Sequence, residues 1–279
     1  MISIITPVYN GERFIESCIK VVIDQACPDV EHIIVDGNST DRTLEIIKQY
    51  AQNYPHIRWI SEKDRGQSDA MNKGIALAKH KSVGILNVDD FYQPNVLNRV
   101  REIFTTLPDP SFLVGNCNVW NESGKISYVN KPSKLRITDL LQGFDISPHP
   151  VNPAAYFYHK SLHLKIGYYS LEEDYAMDVD FIFKAVQHAK VKYIDEIWGN
   201  YRMIPGTKSF SDIQTGQSLI RMEILINLYI KNLPLLQQIQ IPFFKKIHPF
   251  KTRVIYFYRY PERLIPSIQQ RASKIINKT

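Results

Sequence analysis

Cysteine is scarce here, with three in 279 residues (Cys18, Cys27 and Cys117), and they show no paired spacing. That excludes a zinc ribbon or a disulfide framework and fits reduced thiols in the cytoplasm. No apolar run reaches the ~18 residues needed to cross a bilayer. The run Ile2 to Val8 is preceded by no basic region or cleavage site, so no secretory signal is expected. Also missing is a Gly-x-Gly-x-x-Gly after that first strand-like run, where the chain reads Thr6-Pro7-Val8-Tyr9-Asn10-Gly11. There is no Walker lysine loop either, so dinucleotide and P-loop chemistry are excluded and phosphate is not expected on the first helix N-terminus. Repeats and low-complexity tracts are absent.

What is present is a chain 44% hydrophobic, enough for a full core, with a net charge of +6 that is unevenly spread. From Lys231 onward there are ten bases and one acid, Glu262, while the rest carries 24 bases against 27 acids. The basicity is therefore a C-terminal property, and the whole chain does not read as a nucleic-acid binder.

The first half alternates strand and helix signals: a strand at Ile2 to Val8, a helix at Glu12 to Gln25, a strand at His32 to Val35. A helix capped by Thr40 or Asp41 then runs to about Gln52, followed by a strand at Ile57 to Ile60, a helix at Ser68 to Ala78 and a strand at Ser82 to Val88. This order predicts an α/β fold with a mostly parallel central sheet flanked by helices. A helix from Pro94 to Leu107 precedes a hairpin, Phe112 to Trp120 with Lys125 to Tyr128. Next come a strand at Ala155 to Tyr158, a helix at Val179 to Ala189, a strand at Val191 to Tyr193 and a long helix at Ile213 to Leu233. Beyond Pro234, prolines at 242, 249, 261 and 266 predict short helices and turns.

The strand ending Leu86-Asn87-Val88-Asp89-Asp90 places two carboxylates where α/β sheets bind ligands. Neighbouring acids are costly to ionise together without a cation or strong donors. A divalent ion on a diphosphate is one solution, since Mg²⁺ is held by one or two carboxylates plus phosphate oxygens. The alternative for Asp90 is an N-cap for a helix opening at Phe91-Tyr92-Gln93-Pro94.

Four motifs in order carry a resemblance: Thr6-Pro7-Val8-Tyr9-Asn10, Val35-Asp36-Gly37-Asn38-Ser39-Thr40-Asp41, Gly66 through Asn72-Lys73-Gly74, and Leu86-Asn87-Val88-Asp89-Asp90. Together they resemble family 2 glycosyltransferases of the GT-A fold over roughly residues 1 to 210. The variant Ser61 to Asn72 is similar to the branch that builds bacterial surface polysaccharides.

That resemblance implies a nucleotide-sugar site. Thr6, Pro7 and Tyr9 would cradle the base, with Tyr9 stacking and Thr6 hydrogen-bonding. Asp36 would accept from a uracil imide, which favours UDP, and Asp64 and Gly66 would lie near base and ribose. Asp36 as a plain turn-former remains open. The family's Asp-x-Asp falls on Asn87 and Asp89: Asp89 would ligate Mn²⁺ or Mg²⁺, Asn87 would take the ribose side and Asp90 an outer-shell place. The family's catalytic base at the start of a helix falls on Asp178, where the usual Glu-Asp pair reads Met177-Asp178. It would take the acceptor hydroxyl's proton as that oxygen attacks the anomeric carbon opposite the diphosphate. Asp180 would support it or cap the helix. Arg202 and Lys208, in a stretch that resembles a loop closing over donor phosphates, would supply positive charge. His149 fits a structural histidine better than an acceptor contact.

The resulting expectation is an inverting, metal-dependent glycosyltransferase. Residues 1–210 form the catalytic domain, with a nucleotide-binding half (1–107) and an acceptor half (108–210), and 211–279 form a basic helical appendage. The expected partners are a UDP-sugar donor, a glycan acceptor carried on lipid and, through the appendage, an anionic membrane surface, with the protein cytoplasmic and peripheral at the inner membrane face. Packing of the appendage on the body or on a second subunit stays open, and nucleic acid is not expected. The alternatives are sugar transfer onto polyprenyl phosphate and a non-catalytic nucleotide-sugar-binding or assembly partner.

Overall fold

A computed structural model describes residues 1–172, 176–205, 207, 210–211 and 215–259, with side chains through residue 248. Its centre is a nine-stranded sheet of order β3-β2-β1-β4-β8-β6-β9-β5, with β7 paired to β6. Strands β1 (Ile2–Val8), β2 (Val30–Asp36), β3 (Ile57–Ser61) and β4 (Ser82–Ile85) form a parallel block. Beyond it the sheet is mixed. Strand β8 (Tyr156–His159) runs antiparallel to β4 and to β6 (Ser111–Trp120), while β6 runs parallel to β9 (Lys190–Arg202). Strand β7 (Ile126–Asn130) closes a hairpin on β6, and the two-residue β5 (Phe91–Tyr92) pairs with β9.

Helices cover both faces, which is why all seven residues of β1 are buried. Ile5, Ile33, Val35 and Val83 pack under α3 (Gln67–Leu77) and α7 (Met177–His188), together with α8 (Gln217–Lys231). Ile2 and Ile4 face α1 (Ile15–Ile23) and α4 (Val96–Phe104), and Val8 and Ile34 face α1 and α2 (Thr43–Asn53). The short helices α5 (Ile137–Leu140) and α6 (His163–Ile166) and the long α9 (Leu235–Arg259) complete the described chain.

Four expectations change. Strand β4 stops at Ile85: Leu86 N–H still reaches Ile5 O at 2.9 Å, after which Asp90 N–H turns back onto Asn87 O at 3.0 Å. Phe91 and Tyr92 do not open a helix but pair with Asn200 and Gly199, and Asn95 at φ +64° delays the helix to Val96, so Asp90 caps nothing. Strand β9 spans 13 residues, far beyond Val191 to Tyr193, and it takes Tyr201 and Arg202 out of the expected loop. Finally, α9 runs unbroken through Pro242 and Pro249 for 25 residues. Each proline removes one N–H from the helix ladder, and Pro242 is exposed, so the carbonyl it frees can turn to water.

Candidate active site

The carboxyl ends of β1 and β2 and the approach to α3 converge where open α/β sheets take ligands. Tyr9, just past β1, is 63% exposed. Gly37 follows β2, and a side chain there would collide with Asp64 Oδ2 and touch the Tyr9 ring, so Tyr9, Gly37 and Asp64 share one small space. Asp64 Oδ1 accepts from Gly66 N–H at 3.0 Å, and Gly66 has φ +106°, which suits glycine and lets the chain enter α3.

Two of the expected base contacts have internal partners. Thr6 is fully buried and its hydroxyl is hydrogen-bonded to His32 Nε2 at 2.9 Å, because strand alternation turns it inward toward α1 and β2. Burial holds His32 neutral, its pKa lowered to about 3. Asp36 is fully buried too: its carboxylate accepts from the Ser39 N–H and hydroxyl and from Ser61 Oγ at 2.6 Å. The donors that saturate it make it the keystone of the turn after β2. Pro7 is buried within β1, in register with Val35.

The acid loop 86–90 divides its labour. Asp90 is buried, and Oδ2 accepts from Asn87 Nδ2 at 3.0 Å and Asn152 Nδ2 at 2.7 Å while Oδ1 accepts from the Arg202 N–H at 3.2 Å. Burial, then the charge of Asp89, raises its pKa. Asp89 is partly exposed, and burial raises its pKa against the opposing pull of its own backbone N–H and of Arg202. The Arg202 guanidinium sits over the Phe91 ring, 4.6 Å from its centre. Both ends of the Asn87 amide are engaged, since its Oδ1 also accepts from Gln67 Nε2 at 3.0 Å. It bridges α3 and Asp90.

Among the described residues no three His, Cys, Asp or Glu side chains cluster as a metal site. The donor set still fits a divalent ion of the kind that takes one protein carboxylate and completes its shell with phosphate oxygens and water. Asp89 has that carboxylate open, whereas Asp90 has spent its oxygens on N–H donors.

Across α3 lies Asp178, in the first turn of α7. The residue keeps part of its surface open, yet its Oδ1 and the hydroxyl of neighbouring Tyr156 are sealed from solvent without a well-formed hydrogen bond among the described residues. Burial pushes the Asp178 carboxyl up to about 6, and Tyr156 offsets part of that rise. Asp180, by contrast, is committed to packing: it accepts from Tyr229 at 2.6 Å and pairs with Lys184 at 2.6 Å. His149 is buried among Phe144 and Phe183 and bonds Leu140 O at 2.7 Å, a structural role. Lys208 lies outside the described residues.

Two consecutive residues join these halves. Gln67 bonds Asn87 in the acid loop, and Ser68 Oγ contacts Met177 Sδ at 2.8 Å, one position before Asp178. The first turn of α3 thus contacts both the acid loop, two residues before Asp89, and the residue that precedes Asp178. Gln67, Asn152 and Tyr156 were not singled out in the sequence. Asn152, between Pro150 and Pro153, carried a turn signal but no hint of its partner 62 residues away.

Comparison with known proteins bears on family and fold. Residues 3–162 match the model of Glycosyl transferase family 2. The uncharacterized glycosyltransferase YibD of Escherichia coli K12 is 33% identical over 147 residues, covering 52% of this chain and 42% of that protein. An E. coli chondroitin synthase is 35% identical over 97 residues, 35% of this chain and 14% of the synthase. The chain thus spans less than half the length of either relative. Staphylococcus aureus TarS (residues 1–349), solved with UDP-GlcNAc, superposes with a TM-score of 0.67 at 20% identity, over 86% of this chain and 70% of that one. With the family model covering more than half of its length, the chain belongs to glycosyltransferase family 2 and has the GT-A fold.

Proposed function

We propose that the protein transfers a sugar from a nucleotide donor, UDP-linked, to a hydroxyl of a bacterial surface glycan carried on lipid, with inversion at the anomeric carbon. The observation that supports this reading is the Gln67–Ser68 bridge, which ties the loop of the partly exposed Asp89 and the helix start that carries the half-buried Asp178 to one turn of α3. UDP-GlcNAc in TarS and the polysaccharide made by the chondroitin synthase support the donor and acceptor classes.

Asp178 is the base. A carboxyl held near 6 is largely ionised at neutral pH and still basic enough to take a hydroxyl proton in the transition state. Tyr9 offers an exposed ring to the nucleobase, and Asp64 and Gly66 lie beside it. Asp89 would hold Mn²⁺ or Mg²⁺, which when bound neutralises the departing diphosphate. Arg202, fixed over Phe91, adds positive charge on the same side. Asp90 holds the loop rather than the ion.

A thermal-shift screen of nucleotides and nucleotide sugars with and without Mn²⁺ tests the donor site. Ligand that binds only the folded state raises Tm according to its affinity. UDP and one UDP-sugar should raise it, more so with Mn²⁺. No shift with any nucleoside diphosphate would refute the donor assignment. Donor turnover in the same screen would exclude a non-catalytic binding role.

A further inference from the structure

Half of the large apolar side chains exposed among the described residues, ten of twenty, lie between Leu219 and Ile247 on α8 and α9. These helices are anchored. Ile226 of α8 and Ile241 of α9 are buried in the main core, and the Tyr229 ring meets Phe183 edge-on at 5.1 Å while its hydroxyl bonds Asp180 on α7. With the inner faces fixed in this way, the outer faces are apolar in helical register. Ile224 and Leu228 line α8, and Leu236, Ile239 and Phe243 line α9, all more than half exposed. A monomer seldom leaves such a surface bare without a partner for it.

Charge identifies the partner. The segment from Lys231 onward carries ten bases and one acid, and Lys231 and Lys246 are exposed within the described part. A second copy docking by two-fold symmetry would bring two such +9 segments together, whereas an anionic bilayer attracts every base. No described helix is long and apolar enough to cross a membrane, so these helices would lie in the interface. We propose that the outer faces of α8 and α9 form a docking surface for an anionic phospholipid bilayer. Because α8 is pinned to α7, the helix of Asp178, docking would hold that residue's helix close to the lipid surface. That last step rests on the function proposed above; the docking itself does not.

The test is co-sedimentation of the full chain with phosphatidylglycerol-rich or pure phosphatidylcholine vesicles, with no donor present. The chain should pellet with the anionic vesicles at least about tenfold better than with the neutral ones, and less as salt is raised. Ile239→Asp/Phe243→Asp should lose about tenfold of that binding, and so should Leu228→Asp on the other helix, with thermal melts showing both variants folded. Equal pelleting with both lipids, or unchanged binding by both variants, would overturn the proposal. A concentration-dependent dimer that the variants abolish, without vesicle binding by the parent, would also overturn it and assign the face to a second copy. None of these outcomes depends on sugar transfer.

Discussion

Asn87 donates through Nδ2 to Asp90 Oδ2 at 3.0 Å, and Asn152 Nδ2 donates to that same oxygen at 2.7 Å. The amide at position 87 thus feeds a buried carboxylate that its surroundings already disfavour in the charged form. An aspartate there, the commoner residue of the motif, would withdraw a donor and add a third negative charge within four residues. Asn87→Asp is expected to cost about 1–3 kcal/mol, read as a drop of several degrees in Tm without divalent ions. Mn²⁺ should restore part of it. A variant as stable as the parent in chelator would mean that the Asn87–Asp90 bond contributes nothing.

Asp89 makes the opposite case. Its side chain is partly exposed and its ionisation is opposed by burial, so Asp89→Ala should leave Tm unchanged or slightly raised in chelator. What should disappear is the divalent-dependent part of UDP binding and of donor turnover. Thermal shifts with UDP plus and minus Mn²⁺ read this directly: a Mn²⁺ increment surviving in the variant would move the ion elsewhere.

Asp178 sets a pH signature. As a base it must be ionised, so kcat/KM should fall below an apparent pKa of about 6 and level off above it. Asp178→Asn should lower kcat by about 10²–10⁴-fold. Most activity surviving that change would point to an acceptor already anionic, such as a polyprenyl phosphate, which needs no base. The Tyr156 hydroxyl holds the Asp178 pKa down, so Tyr156→Phe should move the acid limb upward. A limb that does not move would separate the two residues functionally.

How far the sequence reaches can be seen at these same positions. Local signals were enough for the parallel block: the apolar runs of β1, β2 and β3 and the amphipathic α1 to α3 lie where periodicity puts them. The acids at 89 and 178 were legible as motif positions, but the burial that separates Asp89 from Asp90 was not. Asp90 is buried by Asn152 and the Arg202 backbone, 62 and 112 residues away, and no local pattern encodes such partners. The same holds for Thr6 and Asp36, whose side chains are claimed by His32, Ser39 and Ser61. The apolar signal of strand β9 ends early because Asp195 and Glu196 interrupt its alternation. There β6 supplies the pairing that composition does not reveal.

Asp180 tests whether two neighbouring acids on α7 really have different work. It bonds Tyr229 and Lys184 and so joins α7 to α8. Asp180→Ala should reduce stability by about 1–2 kcal/mol, the loss of a charged hydrogen bond at a partly buried site. The pH profile of kcat/KM should keep its limb near 6. Loss of activity comparable to that of Asp178→Asn, in a variant that remains folded, would make Asp180 part of the reaction.

Thr6 gives the sharpest test of which side chains face the donor. Threonine and valine have nearly the same shape, so Thr6→Val removes only the hydroxyl that bonds His32 Nε2. His32 stays neutral through the physiological range and its Nδ1 has no partner among the described residues, so the second ring nitrogen would also be left unpaired in the core. The expected cost is about 1–3 kcal/mol of stability, measured by denaturant unfolding. Because the hydroxyl is buried against His32 and Cys18, KM for the donor should stay within about twofold of the parent, too small a change for a lost hydrogen bond to substrate. A tenfold rise in KM with stability unchanged would reverse the assignment and return Thr6 to the nucleotide site.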